Sequence, residues 1–192
     1  MLFGERHIIG PGTEILGGAF LGRCAIIVDF AEQPEQYETV YQKLEQRLAI
    51  KEKDPLVIGQ AVNDAVRAAI PKDKDKTRAV LKAQAIAKGL EHVGPYDEIG
   101  LSAFIGHGGT CHPQTLLGGA LVRLLQQRRG IGGRVSVDTA FADLPQAQFP
   151  HTYLDYFYDM ERFIIDSEAD RVFRFQHPVS PRDAKYRKLA ET

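Results

Sequence analysis

Cys111, His151 and Asp166 are the residue types from which a nucleophilic cysteine site is assembled, and each stands in a sequence context that suits its part. Thiolate, not thiol, attacks a carbonyl carbon, so a reactive cysteine needs surroundings that favour its anion. Cys111 follows Gly106-His107-Gly108-Gly109-Thr110, and the three glycines allow a sharp, left-handed or exposed backbone at that point. From Leu116 on, the apolar positions Leu116, Leu117, Ala120, Leu121, Leu124 and Leu125 recur with helical spacing, and the run ends in Arg128, Arg129 and Gly130, a basic last turn with a glycine stop. Cys111 is therefore expected at the start of a helix, capped by Thr110. There the unpaired amides and the positive end of the dipole lower a thiol pKa. A lone cysteine is more often a small buried hydrophobe, so this reading requires a base.

The base is expected from a hairpin. His151-Thr-Tyr-Leu-Asp-Tyr-Phe-Tyr158 alternates as a strand, Asp159-Met-Glu turns, and Arg162-Phe-Ile-Ile-Asp166 returns. If the loop is Asp159 and Met160, Asp166 falls opposite Tyr153 and shares a face with His151, close enough for its carboxylate to hold the imidazole. A loop longer or shorter by one residue would put them on opposite faces. Taken singly, His151 is an ordinary strand-end histidine and Asp166 a turn acid. In combination, imidazole would deprotonate the thiol or pair with the thiolate, while the carboxylate fixes the tautomer and stabilises the imidazolium.

Other elements must carry these groups. Ala25-Ile-Ile-Val-Asp-Phe30 reads as a buried strand with Cys24 at its edge, after a run broken by Gly10, Pro11, Gly12, Gly17, Gly18 and Gly22. Pro34 opens a helix to about Ile50 with Tyr37, Val40, Tyr41, Leu44 and Leu48 on one stripe, and Pro55 opens a second that stops at Pro71. A third, about Thr77 to Leu90, presents Val80, Leu81, Ala85 and Ile86 to the core; Val93 to Gly100 is a loop by its turn residues. Arg134-Val-Ser-Val-Asp138 alternates as a strand and is joined to the hairpin by a loop from Asp143 to Pro150. The tail from Arg171 to Thr192 holds a strand-like Val172-Phe-Arg-Phe175, then Pro178, Pro181 and a basic segment suited to a mobile end or a partner-binding arm. The class is α+β, with an N-terminal helical part packed on a C-terminal antiparallel sheet. One domain over 1–192 is expected, with a catalytic core of about 100–175.

Composition removes several functions. With 44% apolar and 26% charged residues and a formal net charge of −1, there is no electrostatic case for nucleic acid or an anionic membrane. Cys24 and Cys111 are too few for a disulfide framework. His107, Cys111 and His112 cluster without the spacing of a zinc site, so neither metal nor other cofactor is expected. No stretch approaches a membrane span, and Met-Leu-Phe-Gly-Glu-Arg-His lacks the form of a secretory signal. The expectation is a cytoplasmic chain, or one exported without a Sec signal peptide.

Gly-Gly-Thr-Cys111, the helix after it, and Gly130-Ile-Gly-Gly-Arg134-Val-Ser-Val together resemble the transglutaminase-like branch of papain-fold cysteine enzymes. In that family a catalytic cysteine heads a helix that runs into a Gly-Ile-x-x-Arg turn and a strand. His151 opening one strand and Asp166 closing the next continue the likeness, which covers about residues 105 to 170. His151 is followed by Thr152-Tyr153 where the family usually has Ala-Trp. The resemblance implies a papain-like fold and a Cys111, His151, Asp166 triad. It also implies acyl transfer from an amide of a protein or peptide, such as a glutamine side chain, through a thioester. Water as acceptor gives a protease or a glutamine deamidase, and an amine gives a transglutaminase. The lack of accessory β-domains favours a bacterial-type hydrolase or deamidase, such as an effector domain. The oxyanion donor is open between His107, Gln84 and the Cys111 amide. Two further readings stand beside this one: an arylamine N-acetyltransferase, whose cysteine also follows a Gly-Gly pair, and a non-catalytic binding module on the same scaffold.

Overall fold

Proline fixes where the first two helices begin. In the computed structural model, which describes residues 6–9, 25–94, 97–141 and 150–176, Pro34 and Pro55 open α1 (Pro34–Glu45) and α2 (Pro55–Ala69). Each ring supplies a helical φ and gives up an amide that the first turn leaves unpaired in any case. Asp54 caps α2, accepting from the Leu56 amide at 2.8 Å. Asp73 caps α3 (Lys74–Ala87), accepting from the amides of Asp75 and Lys76 at 3.0 and 2.9 Å. The glycine-broken run with Cys24, nearly all of the Asp143 to Pro150 loop, and the tail from Pro178 lie outside the described residues.

Two helices have bounds other than those expected, and α3 also ends at Ala87 rather than Leu90. Helix α1 stops at Glu45, well before Ile50, whose 92% exposure means that a longer helix would have buried nothing there. Helix α3 starts earlier than Thr77 because its cap is Asp73, and it turns Thr77, Val80 and Ala85 inward. Ile86, expected in that stripe, is 67% exposed: one residue past Ala85 is about 100° round the helix, and so off the stripe.

Helix α4 (Cys111–Arg129) is the central one. Its buried residues run from Cys111 to Leu125 with few gaps, as befits a helix enclosed on most sides, and it ends on Gly130 at φ 64. Leu116, Leu117, Leu121, Val122, Leu124 and Leu125 share one hydrophobic core with Tyr37 and Tyr41 of α1, Ile58 and Val62 of α2, and Leu154, Tyr156 and Ile165 of the C-terminal strands. Removing that much apolar surface from water is what chiefly holds such elements together.

Among the described residues the strands form two sheets. In the smaller, β2 (Ala25–Asp29) pairs antiparallel with β1 (Arg6–Ile9) and parallel with β3 (Glu98–Gly100). β3 lies where a plain loop was expected. Three residues cannot display an alternating pattern, and the strand exists through its register with β2, Ile26 opposite Ile99. The larger sheet is an antiparallel meander of β4 (Arg134–Phe141), β5 (Pro150–Tyr158), β6 (Glu161–Asp166) and β7 (Arg171–Arg174). The architecture of the described residues is α+β, four α-helices with a four-stranded antiparallel sheet and a smaller three-stranded one. Helix α2 lies on β6 and β7 through Gly59, where a Cβ would stand 2.8 Å from Cγ1 of Val172.

Candidate active site

The approach to Cys111 is built as tightly as its glycines suggest. Gly106 and Gly108 have φ of 82° and 113°, values that an L side chain rarely adopts. Gly109 is needed for space, since a Cβ there would meet Pro113 at 2.6 Å and Ile70 at 2.7 Å. The connector between α2 and α3 is strapped to this turn. Gly109 N donates to Pro71 O at 2.9 Å, Asp73 N donates to Gly109 O at 3.1 Å, and Lys72 bridges Gly109 in parallel. Cys111 then opens α4. Thr110 stands at the N-cap without the expected side-chain bond, and its buried Oγ1 has no hydrogen-bond partner. The first turn is anchored by other groups: Gln114 Nε2 donates to Ile70 O at 2.8 Å, and Thr115 Oγ1 donates to Thr152 O on β5 at 3.1 Å.

The hairpin has the register that the chemistry requires. Its loop is Asp159 and Met160, with φ of 46° and 65° and Tyr158 opposite Glu161, the paired positive φ of a turn whose twist matches its strands. The ladder reaches Leu154 opposite Ile165, and its next step sets Asp166 against Tyr153 on the His151 face. Nε2 of His151 lies 2.6 Å from Oδ2 of Asp166, and that carboxylate is fully buried. Oδ1 of Asp166 accepts from the Ala169 amide at 3.0 Å and orders the turn into β7. The same turn is pinned to α2, where Asn63 Nδ2 donates to Asp170 Oδ1 at 2.8 Å and Arg67 Nη1 pairs with Asp170 Oδ2 at 3.0 Å.

Thiol and imidazole meet because each sits at an element end, Cys111 first in α4 and His151 second in β5. A further residue meets them there. Glu168, from the turn between β6 and β7, has Oε2 at 3.6 Å from His151 Nδ1 and Oε1 at 3.1 Å from Lys72 Nζ. One ligand-capable atom from each of Cys111, His151 and Glu168 lies within 4.8 Å of the others. Sequence reasoning missed Glu168, which lies in the turn after β6, beyond the reach of strand alternation.

A second imidazole flanks the sulfur. His112 is buried, with Nδ1 at 3.7 Å from Cys111 Sγ and its ring against the hydroxyl of Thr152 at 3.2 Å from Nε2. Of the two side chains considered as oxyanion donors, His107 is exposed, with its Nδ1 turned back to Ile105 O at 3.1 Å. Gln84 stands partly buried on α3. The groups that act on the sulfur are His112, His151 and Glu168.

Electrostatics in the cluster favours separated charges. Burial pushes the Cys111 thiol up, but hydrogen bonds from His112 and His151 outweigh it and hold the pKa at about 7. Burial also disfavours a charged His151, yet the bonds to Asp166, Cys111 and Glu168 carry it to about 11. Glu168 is pushed up by burial and drawn down further by His151 and Lys72, to about 2. At neutral pH the imidazole is thus a cation, and the thiol is close to half ionised. Such a set can add sulfur to a carbonyl and supply a proton to the leaving group.

Among the described residues no helix is long and apolar enough to cross a membrane. Scans of protein-family models, of curated proteins and of solved structures return no match to the chain.

Proposed function

We propose that this chain is a cysteine-dependent acyl-transfer enzyme of transglutaminase-like, papain-fold type, acting on amide bonds of a protein or peptide. The observation that carries the reading is the convergence of Cys111 at a helix start, His151 beside it and a buried Asp166 at 2.6 Å from the far nitrogen of that imidazole. In the reaction, the Cys111 thiolate adds to the amide carbon. The Nδ1 proton of His151 passes to the departing nitrogen, which leaves as ammonia or an amine, and the acyl group remains on sulfur as a thioester. His151, now neutral, takes a proton from water or an amine as that nucleophile attacks the thioester. Thiolate departs and imidazolium is restored.

Asp166 holds the ring in one orientation and stabilises its cationic form throughout. Of the first turn of α4, Pro113 has no N–H and the Gln114 amide donates to Thr110 O at 3.3 Å, so the amides of Cys111 and His112 are the backbone donors we assign to a developing oxyanion. Lys72 forms the exposed edge of the cluster, at 53% against 14% for Glu168 and 15% for His151, so substrate is expected to enter past it.

The test is incubation with a glutamine-rich protein mixture, read by mass spectrometry for cleavage, amide-to-acid conversion or crosslinks. Wild-type protein is expected to give one of these products, and Cys111→Ala and His151→Ala none, with both variants folded. Product formation that survives Cys111→Ala would overturn the mechanism.

A further inference from the structure

We propose that Cys111 Sγ, His151 Nδ1 and a Glu168 carboxylate oxygen form a binding site for one zinc-class divalent cation, which blocks the nucleophile while bound. The inference goes beyond acyl transfer and does not depend on it, because its readouts are binding and alkylation.

Thiolate, imidazole and carboxylate are the three ligand types that zinc takes from proteins, at roughly 2.0 to 2.3 Å from the metal. Around a tetrahedral ion such ligands stand roughly 3 to 4 Å apart. Here Nδ1 and Oε2 are already 3.6 Å apart, and all three ligand atoms lie within 4.8 Å of one another. On metal binding the remainder is to be closed by rotation of the Glu168 and Cys111 side chains.

The outer nitrogen of the imidazole is also held. Metal-binding imidazoles usually give their other N–H to a carboxylate, which fixes the tautomer and raises ligand basicity. His151 does so from Nε2 to the buried Asp166 at 2.6 Å, leaving Nδ1 toward sulfur and Glu168. Charge balances as well. One thiolate and one carboxylate offset the two charges of the ion, the metal replaces the Nδ1 proton, and that proton goes to solvent. The fourth position falls to water at the partly exposed edge. Such a site has no signature in sequence spacing, because its ligands come from α4, β5 and the turn before β7.

Lys72 supplies a test of opposite sign. Its ammonium holds Glu168 Oε1 at 3.1 Å and so competes with the ion for that carboxylate. Removing it should strengthen metal binding, whereas loss of a merely structural ion pair would not.

The experiment titrates the chelator-treated 192-residue chain with Zn²⁺ by calorimetry and with Co²⁺ by absorption, in a Cys24→Ser background that removes the other thiol. Expected are one ion per chain, a sulfur-to-cobalt charge-transfer band, and loss of iodoacetamide labelling at Cys111 that chelator restores. Affinity should fall by about 10-fold or more in Glu168→Gln and by about 10- to 100-fold in Asp166→Asn. It should rise in Lys72→Met, and the charge-transfer band should vanish in Cys111→Ser. Wild-type affinity retained in both Cys111→Ser and Glu168→Gln, or Zn²⁺ that leaves Cys111 labelling unchanged, would overturn the site. Metal binding without acyl transfer would sink only the proposed reaction, and acyl transfer without protection by Zn²⁺ would sink only the metal site.

Discussion

His151 and Asp166 are joined across the hairpin by a 2.6 Å contact between Nε2 and Oδ2, on a carboxylate with no exposure to water. Buried charge at such a position is costly unless it is paired, so the carboxylate favours the cationic form of the ring beside it. The Asp166→Asn change keeps the shape and can keep the bond to the Ala169 amide, but it removes the charge that favours a cationic ring. A folded protein is expected, with turnover lower by about 100- to 10,000-fold. Wild-type turnover in that variant would show that the carboxylate has no part in the chemistry, and thermal unfolding checks that the fold survives.

The sulfur should report its own ionisation. In metal-free protein the rate of iodoacetamide labelling of Cys111 is expected to rise with pH, reach half its plateau near the thiol pKa of about 7, and stay level until His151 loses its proton near about 11. Because Cys111 is only 3% exposed, the plateau rate is expected to be low even though its midpoint is early. Labelling with the midpoint of an unperturbed thiol, about 8.5, would mean that neither imidazole acts on the sulfur.

Glu168 should move both limbs of that profile in one direction. Its negative charge opposes formation of the thiolate, while its bond to Nδ1 supports the imidazolium. In Glu168→Gln the lower midpoint should therefore fall below that of the wild type, and the upper one should fall from about 11. Mass-spectrometric labelling at a series of pH values resolves the two shifts. An upward move of the lower midpoint would contradict the assigned position of the carboxylate.

Much of this site was legible in the sequence. Turn chemistry and alternation placed Asp166 on the face of His151, since side chains follow a strand with a period of two and the two-residue loop fixed the register. Helical spacing after Leu116 and the basic, glycine-stopped end gave α4, and the glycines before Cys111 gave its turn. What escaped was held by tertiary contact. The three residues of β3 pair only because β2 lies beside them. Glu168 reaches the cluster from a turn pinned to α2 by Asn63 and Arg67, residues far from it along the chain. Lys72 comes to it because backbone bonds strap its segment to Gly109. Thr110, by type a helix cap, was misread in its side-chain role because Gln114 and Thr115 anchor that end of the helix instead.

The charges of the cluster also set how stability depends on pH, and the two signs oppose. His151 has a folded pKa raised from 6.5 to about 11, so its contribution is complete below pH 6.5 and is lost as pH rises through about 11. Cys111 has a folded pKa lowered from 9.0 to about 7, so its contribution is present above pH 9 and is lost as pH falls through about 7. Between roughly pH 7 and 9 the two dependences cancel, and above pH 9 the His151 loss is unopposed, at about 1.4 kcal/mol per pH unit for one proton. Chemical denaturation of metal-free protein is expected to show a level stretch followed by a decline toward pH 11. In Cys111→Ala the decline should begin earlier, near pH 7, because the opposing gain from the thiolate is gone, and in His151→Ala the loss between pH 9 and 10 should be absent, leaving only that of the buried Tyr37, Tyr41 and Tyr156, whose raised pKa values act above pH 10. An unchanged alkaline slope in His151→Ala would mean that the imidazole is not held as a cation in the folded protein.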